Sequence, residues 1–292
     1  MKSAEVIPFN RSNHLLKKAQ VLLENTELFY SETQKGVMCL LDALPYCQPA
    51  TVLKVLPLLG YAGKDRVLWP LFRLIIEPEQ DEQIRFSAAV QLGTAASQSR
   101  DPSGVTAMLI DCLDYPSSSI RGSCALALGW DGNSIAVNHL LDHLTDKDRD
   151  VQAAIVTALS AIGGVHVYRQ LTHRLKTGSI EEKRSISLNL WRFAEKMPQV
   201  KDVYVEQIDL IEAEVKVDLL TGIGMIPLSE KILSVYRRLL GETDGQAQLQ
   251  VLLNLSTRTP SDYVELTPKL KELAKNGENK IRQMAIRLLS KR

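Results

Sequence analysis

Apolar positions in this chain recur at helical spacing, and the helices recur in turn. Three segments repeat one formula: 81–93 (DEQIRFSAAVQLG), 117–129 (SSSIRGSCALALG) and 148–160 (DRDVQAAIVTALS). Each reads as a helix cap, an apolar residue, a basic or amide residue, small residues, then Leu and Gly or Ser. With the basic or amide position as anchor, the chain tiles through Val52, Arg85, Arg121, Gln152, Arg184, Lys216, Gln248 and Arg282, at a period near 32 residues. Such a period is the mark of stacked helical pairs. Apolar residues stand seven positions after each anchor, from Leu59 through Trp191 to Leu289. Most units also carry one just before the anchor, Lys183 and Thr51 being the exceptions. Positions at minus one, plus three and plus seven lie on one helical face. Asp81, Asp148, Glu212, Asp244 and Glu278, four before their anchors, fall at helix starts, where free N–H groups favour a carboxylate. Glycines at plus eight (Gly60, Gly93, Gly129, Gly224) suit close packing or helix termination.

A second set of helices is expected between these, at 67–76, 105–113, 135–144, 167–175, 203–211, 232–240 and 264–273, joined by short polar loops such as 101–104 and 131–133. Residues 1–11 read as irregular, and 12–30 as a capping helix that covers the first exposed core face. The expected organisation is an N-terminal segment with its cap, 1–32, and one elongated array, 33–292.

The formula Asp-x-x-(Ile/Val)-Arg-x-x-Ala-…-Leu-Gly in units near 32 residues resembles HEAT repeats, in the short form called PBS-lyase HEAT-like repeats. The resemblance covers roughly 33–291 and is sharpest at 81–163 and 278–289. It implies an all-α fold, a right-handed α-α superhelix (HEAT-like solenoid) of about eight helix pairs. It also implies that the Asp and Arg columns pair between neighbouring units. Similar proteins serve as scaffolds. Others are bilin lyases, di-iron hydroxylases or DNA glycosylases.

Composition narrows the function classes. The chain is 45% apolar but only 5% aromatic, and its 35 basic and 34 acidic residues leave a net charge of +1. That balance counts against nucleic acid, which rewards a basic excess. Charge is banded: six acidic and one basic residue in 202–218, seven basic and three acidic in 166–196, eight basic and four acidic in 262–292. Such bands can steer a complementary partner. No stretch suits a membrane span. The four cysteines make no CxxC or zinc spacing and read as free thiols of a cytoplasmic protein.

Candidate chemistry is sparse. His139 and His143 stand four apart but lack the third ligand of a metal site, and no His-Glu dipeptide of the hydroxylase kind occurs. No metal, cofactor or catalytic constellation is expected. Trp69 and Trp191 read as core, and Trp130, before the Asp131-Gly132 turn, as exposed. The candidate binding residues are Arg85, Arg121, Trp130, Lys183, Arg184 and Lys216. For the basic column, pairing between repeats is the preferred reading. The expected function is a non-enzymatic scaffold that holds a protein or peptide partner. A bilin lyase-like enzyme, another HEAT-like enzyme or a nucleic-acid binder are the alternatives.

Overall fold

A computed structural model describes residues 6–100 and 103–291, with side chains from residue 12 onward. Among these the chain is all-α, and residue contacts divide it into two compact units, Met1–Gly163 and Gly164–Arg292. The first unit opens with α1 (Val6–Glu24) and α2 (Thr26–Ser31). Four pairs follow: α3 (Thr33–Ala43) with α4 (Pro49–Ala62), α5 (Asp65–Ile76) with α6 (Glu82–Ala96), α7 (Ser103–Asp111) with α8 (Ser118–Asp131), and α9 (Ala136–Asp142) with α10 (Arg149–Ile162). The second unit holds α11 (Val165–Thr177) with α12 (Ile180–Asn189), α13 (Val200–Gln207) with α14 (Ala213–Gly224), α15 (Glu230–Leu239) with α16 (Gly245–Ser256), and α17 (Thr267–Asn276) with α18 (Asn279–Ser290). The eight expected pairs are present.

Short carboxylates set many of the helix starts. Asp81 accepts from the N–H groups of Gln83 (2.9 Å) and Ile84 (3.1 Å), and Asp148 and Asp244 repeat the arrangement at α10 and α16. Glu212 and Glu278 hold the same position without a side-chain cap bond.

The even-numbered helices stack on one another, α4 to α6 to α8 to α10 in the first unit and α12 to α14 to α16 to α18 in the second. Their cores follow the predicted positions: Ile84, Ala88 and Leu92 in α6, Ile120, Cys124 and Leu128 in α8, Val151, Ile155 and Leu159 in α10 are all buried. Glycine at plus eight serves close approach. A Cβ on Gly129 would lie 2.7 Å from the Ala158 Cα of α10, which no side chain tolerates.

Three expectations need correction. The leading helix starts at Val6, not Ser12, and breaks at Asn25, whose side chain caps α2 through the Leu28 N–H. Residues 1–5, the loop residues Asp101 and Pro102, and Arg292 lie outside the described residues. Trp69 is not core but 55% exposed, because the stripe Val67, Leu68, Leu71, Phe72 and Ile75 already supplies the buried face of α5. Trp191 is half-buried in a 3-10 turn, with the Arg192 guanidinium over its ring at 4.6 Å.

The register of α12 also differs by one residue. Its N-cap is Ser179, closed by a capping box with Glu182, so the position four later is Lys183, and seven beyond that is the buried Leu190. Lys183, an exception in the first alignment, is the anchor of its repeat. Arg184 stands one position beyond it.

Candidate functional site

The anchor residues Arg85, Arg121, Gln152 and Gln248 turn inward and stitch the loops, whereas Arg282 of α18 is exposed. Arg85 is buried in α6 and donates to the carbonyls of Ile75 at the end of α5 and of Pro78 and Gln80 in the loop that follows it. Gln152 donates to the Asp146 carbonyl at 2.6 Å, and Gln248 to those of Leu240 and Glu242. Carbonyls at the helix ends and in the loops beyond them lack a helical partner, and these side chains satisfy several of them. Arg121 does this and more. Its Nη1 reaches the Tyr115 and Pro116 carbonyls, while Nε and Nη2 fork onto the Asp146 carboxylate at 2.7 and 2.8 Å. In the second unit Lys183 pairs with Glu212 and Arg184 with Asp218 (2.7 Å). Lys216 is half-buried.

Protonation follows this geometry. Burial pushes Asp146 up, but the Arg121 bonds, the Asp148 N–H and the Arg121 charge together hold it below its ordinary value. Asp131 has no such partner. Burial at the end of α8 pushes it up, and one bond from the Thr106 hydroxyl (2.7 Å) opposes that only in part. The thiols of Cys112 and Cys124 meet inside the first unit, and both are buried. His143 contacts the His139 carbonyl (2.7 Å) and the Asp114 carboxylate (3.1 Å) through its two ring nitrogens.

With the anchors turned in, the face left to a partner consists of the positions one, five and nine after them. In the first unit these are Leu53, Pro57 and Tyr61 of α4, Phe86, Val90 and Thr94 of α6, Gly122, Leu126 and Trp130 of α8, and Ala153, Thr157 and Ala161 of α10. Tyr61, Phe86 and Trp130 are exposed by 65%, 54% and 56%. Their neighbours on this face are largely apolar or small. Of the six residues singled out in the sequence, Trp130 lies on this face and Arg184 on the matching positions of the second unit. Arg85, Arg121 and Lys183 lie beneath. Tyr61 and Phe86 were missed, although their offsets from the anchors, nine and one, place them opposite the core face. A separate hollow of about 390 Å³ surrounds the exposed Trp69, between Pro45, Arg73 and Glu77.

Residues 69–160 and 106–190 match the family description "HEAT repeats". The stretch 69–190 is made of HEAT repeats. Arg85, Phe86, Arg121, Trp130, Lys183 and Arg184 all fall within these HEAT repeats, whereas Tyr61 and Lys216 flank them. No curated protein matches the chain in sequence. Similar solved structures include the complex of CpcE and CpcF of phycocyanin lyase from Nostoc sp. PCC7120, at 15% identity over 81% of this chain and 94% of that one, TM-score 0.38. An engineered protein is similar at 18% identity (87% and 78% covered, TM-score 0.34), and human deoxyhypusine hydroxylase in complex with glycerol at 14% (88% and 98%, TM-score 0.32). At these TM-scores the likenesses carry no argument about what the HEAT repeats of this chain do.

Proposed function

We propose that the chain is a non-enzymatic scaffold that holds an extended, apolar segment of a protein partner on the exposed face of α4, α6, α8 and α10. The observation that carries this reading is the set Tyr61, Phe86 and Trp130. Three large aromatic side chains stand exposed on three successive stacked helices, with largely apolar or small residues between them. Aromatic side chains combine large contact area with few rotatable bonds, which makes them efficient anchors. Neighbouring helices in such a stack lie about 8–10 Å apart. Phe86, at offset one, stands eight residues or about 12 Å along the helix axis from the level of Tyr61 and Trp130 at offset nine. Anchors on adjacent helices therefore lie about 15 Å apart and, at about 3.3 Å per residue, suit side chains of an extended partner roughly four to five residues apart. The paired anchors beneath keep the face rigid, so a partner would not have to order it.

A peptide-display library screened against the full chain tests this. Binders should carry apolar residues at about that spacing. The double substitution Phe86→Ser and Trp130→Ser should weaken them by about tenfold or more while leaving the thermal melt in place. A screen without binders, or binders indifferent to both substitutions, rejects the reading.

A further inference from the structure

A helical face that no other element of its stack covers is suited to water when it is polar. The outer face of α18 is of that kind: exposed on it are Lys280, Arg282, Gln283 and Arg287, with Ile286 the one large apolar exception. The face formed by α1, α2 and α3 is not. Ala19 and Phe29 are buried where α1 and α2 pack on α3, but Val21, Leu28 and Met38 remain 51%, 43% and 45% exposed. With Leu15 and Leu22 they floor an open groove of about 860 Å³. Lys17, Lys18, Lys35 and Arg66 line it against two carboxylates, Glu32 and Asp42, and Glu32 is already engaged by Lys35 at 3.0 Å.

We propose that this groove docks an acidic amphipathic helix of a protein partner, a site separate from the aromatic face described above. Its walls are helices whose main-chain groups are bonded internally, so an added strand would find no edge to pair with. A helix needs none. The lining residues of α1 run from His14 to Leu22, about 12 Å at 1.5 Å per residue, the length over which a partner helix presents anchors at i, i+3 or i+4, and i+7. The basic rim selects the charge of that helix: Glu or Asp beside its apolar stripe meet Lys17, Lys18 and Arg66, whereas Lys or Arg there would be repelled.

The test uses the full chain and two fluorescein-labelled designed helices of roughly 18 residues, identical in their leucine stripe and flanked by Glu in one and Lys in the other. Fluorescence anisotropy should show the Glu peptide binding about tenfold tighter or more, with affinity falling as salt rises. Val21→Glu with Met38→Glu should remove binding by about tenfold or more at an unchanged melting temperature. Lys17→Glu with Lys18→Glu, exposed positions that leave the floor intact, should reverse the preference between the peptides, and this variant decides the matter should the first one unfold. Phe86→Ser with Trp130→Ser should leave the Glu peptide bound, which separates this site from the aromatic face. Equal affinity for the two peptides, or none for either, overturns the proposal. A concentration-dependent dimer in sedimentation velocity that Val21→Glu abolishes would assign the groove to a second copy of the chain. Binding to anionic vesicles with the same sensitivity, in place of the peptide, would assign it to a lipid surface; either result overturns the acidic-helix assignment.

Discussion

Arg121 of α8 holds Asp146, in the loop before α10, by a two-pronged ion pair with bonds of 2.7 and 2.8 Å, and both side chains are almost fully buried, at 5% and 7% exposure. The remaining guanidinium nitrogen closes the Tyr115 and Pro116 carbonyls. One side chain thus fixes its own loop and the next repeat's loop. Arg121→Met removes the charge but not the bulk, leaving a buried carboxylate unpaired, and is expected to cost about 3–5 kcal/mol. Arg121→Lys should also lose stability, since an ammonium cannot reproduce the fork. Urea denaturation followed by circular dichroism measures both. A loss within about 0.5 kcal/mol for Arg121→Met would mean that the pair does not set the register of these repeats.

Two aspartates of the first unit should respond to pH in opposite directions. Asp146 is depressed in the folded chain, so its contribution is present above the unfolded carboxylate value and is lost as pH falls through the folded one. Asp131 is raised, by burial first, so the folded chain binds its proton before the unfolded one. Its charged form costs stability at neutral pH, and that cost disappears as pH falls through the raised value. Its position at the C-terminal end of α8 adds to the cost, because the helix dipole there opposes a negative charge. Asp131→Asn keeps an acceptor for the Thr106 hydroxyl and removes the charge. Thermal melts between about pH 4 and pH 7 should find the variant at least as stable as the parent at pH 7, with the difference shrinking toward pH 4. A variant clearly less stable at pH 7 would show that the carboxylate is not a burden there.

The repeat architecture was readable because burial in a stack is periodic. Ile84, Ala88 and Leu92 recur as Ile120, Cys124 and Leu128, and as Val151, Ile155 and Leu159, and all nine are buried. What was hidden arose where local chemistry imitates the pattern. In α5 the run from Leu68 to Leu71 looks wholly apolar, yet one helical face takes Val67, Leu68, Leu71 and Phe72 and turns Trp69 outward. The exposed aromatics Tyr61 and Phe86 were equally encoded, at offsets nine and one opposite the core, but Phe86 stands directly beside the conspicuous charge of Arg85, which is buried. The N-terminal groove had no repeat to be compared with. Its apolar lining reads in sequence as a cap, and only the packing of α1 on α3 leaves Val21 and Met38 uncovered.

The start of α12 tests the one-residue shift. Ser179 accepts from the Glu182 N–H at 3.2 Å, and Glu182 returns a bond to the Ser179 N–H at 2.9 Å, which leaves Lys183 rather than Arg184 as the inward anchor. Ser179→Ala should cost about 1 kcal/mol, and Ser179→Asp should retain most of the stability, because aspartate caps as well as serine. The same substitutions at Ile180, one residue later, have no cap to lose or restore. Equal costs for alanine at 179 and at 180, with no benefit from aspartate at 179, would return the anchor to Arg184.

Leu128 and Gly129 sit side by side in α8, where that helix passes between α6 and α10, and they fail by opposite physics. Leu128 is fully buried, so Leu128→Ala opens a cavity and is expected to cost about 2–5 kcal/mol. Gly129 has no space to lose. A methyl group there meets the α10 backbone at Ala158, and relief requires the two helices to part. Gly129→Ala should therefore cost about 1–3 kcal/mol through overpacking rather than through a void. A small apolar ligand such as benzene separates the two causes: it should raise the melting temperature of the Leu128→Ala protein by filling the cavity and leave the Gly129→Ala protein unaffected. A loss below about 1 kcal/mol for Leu128→Ala would contradict a mid-stack core position for this residue.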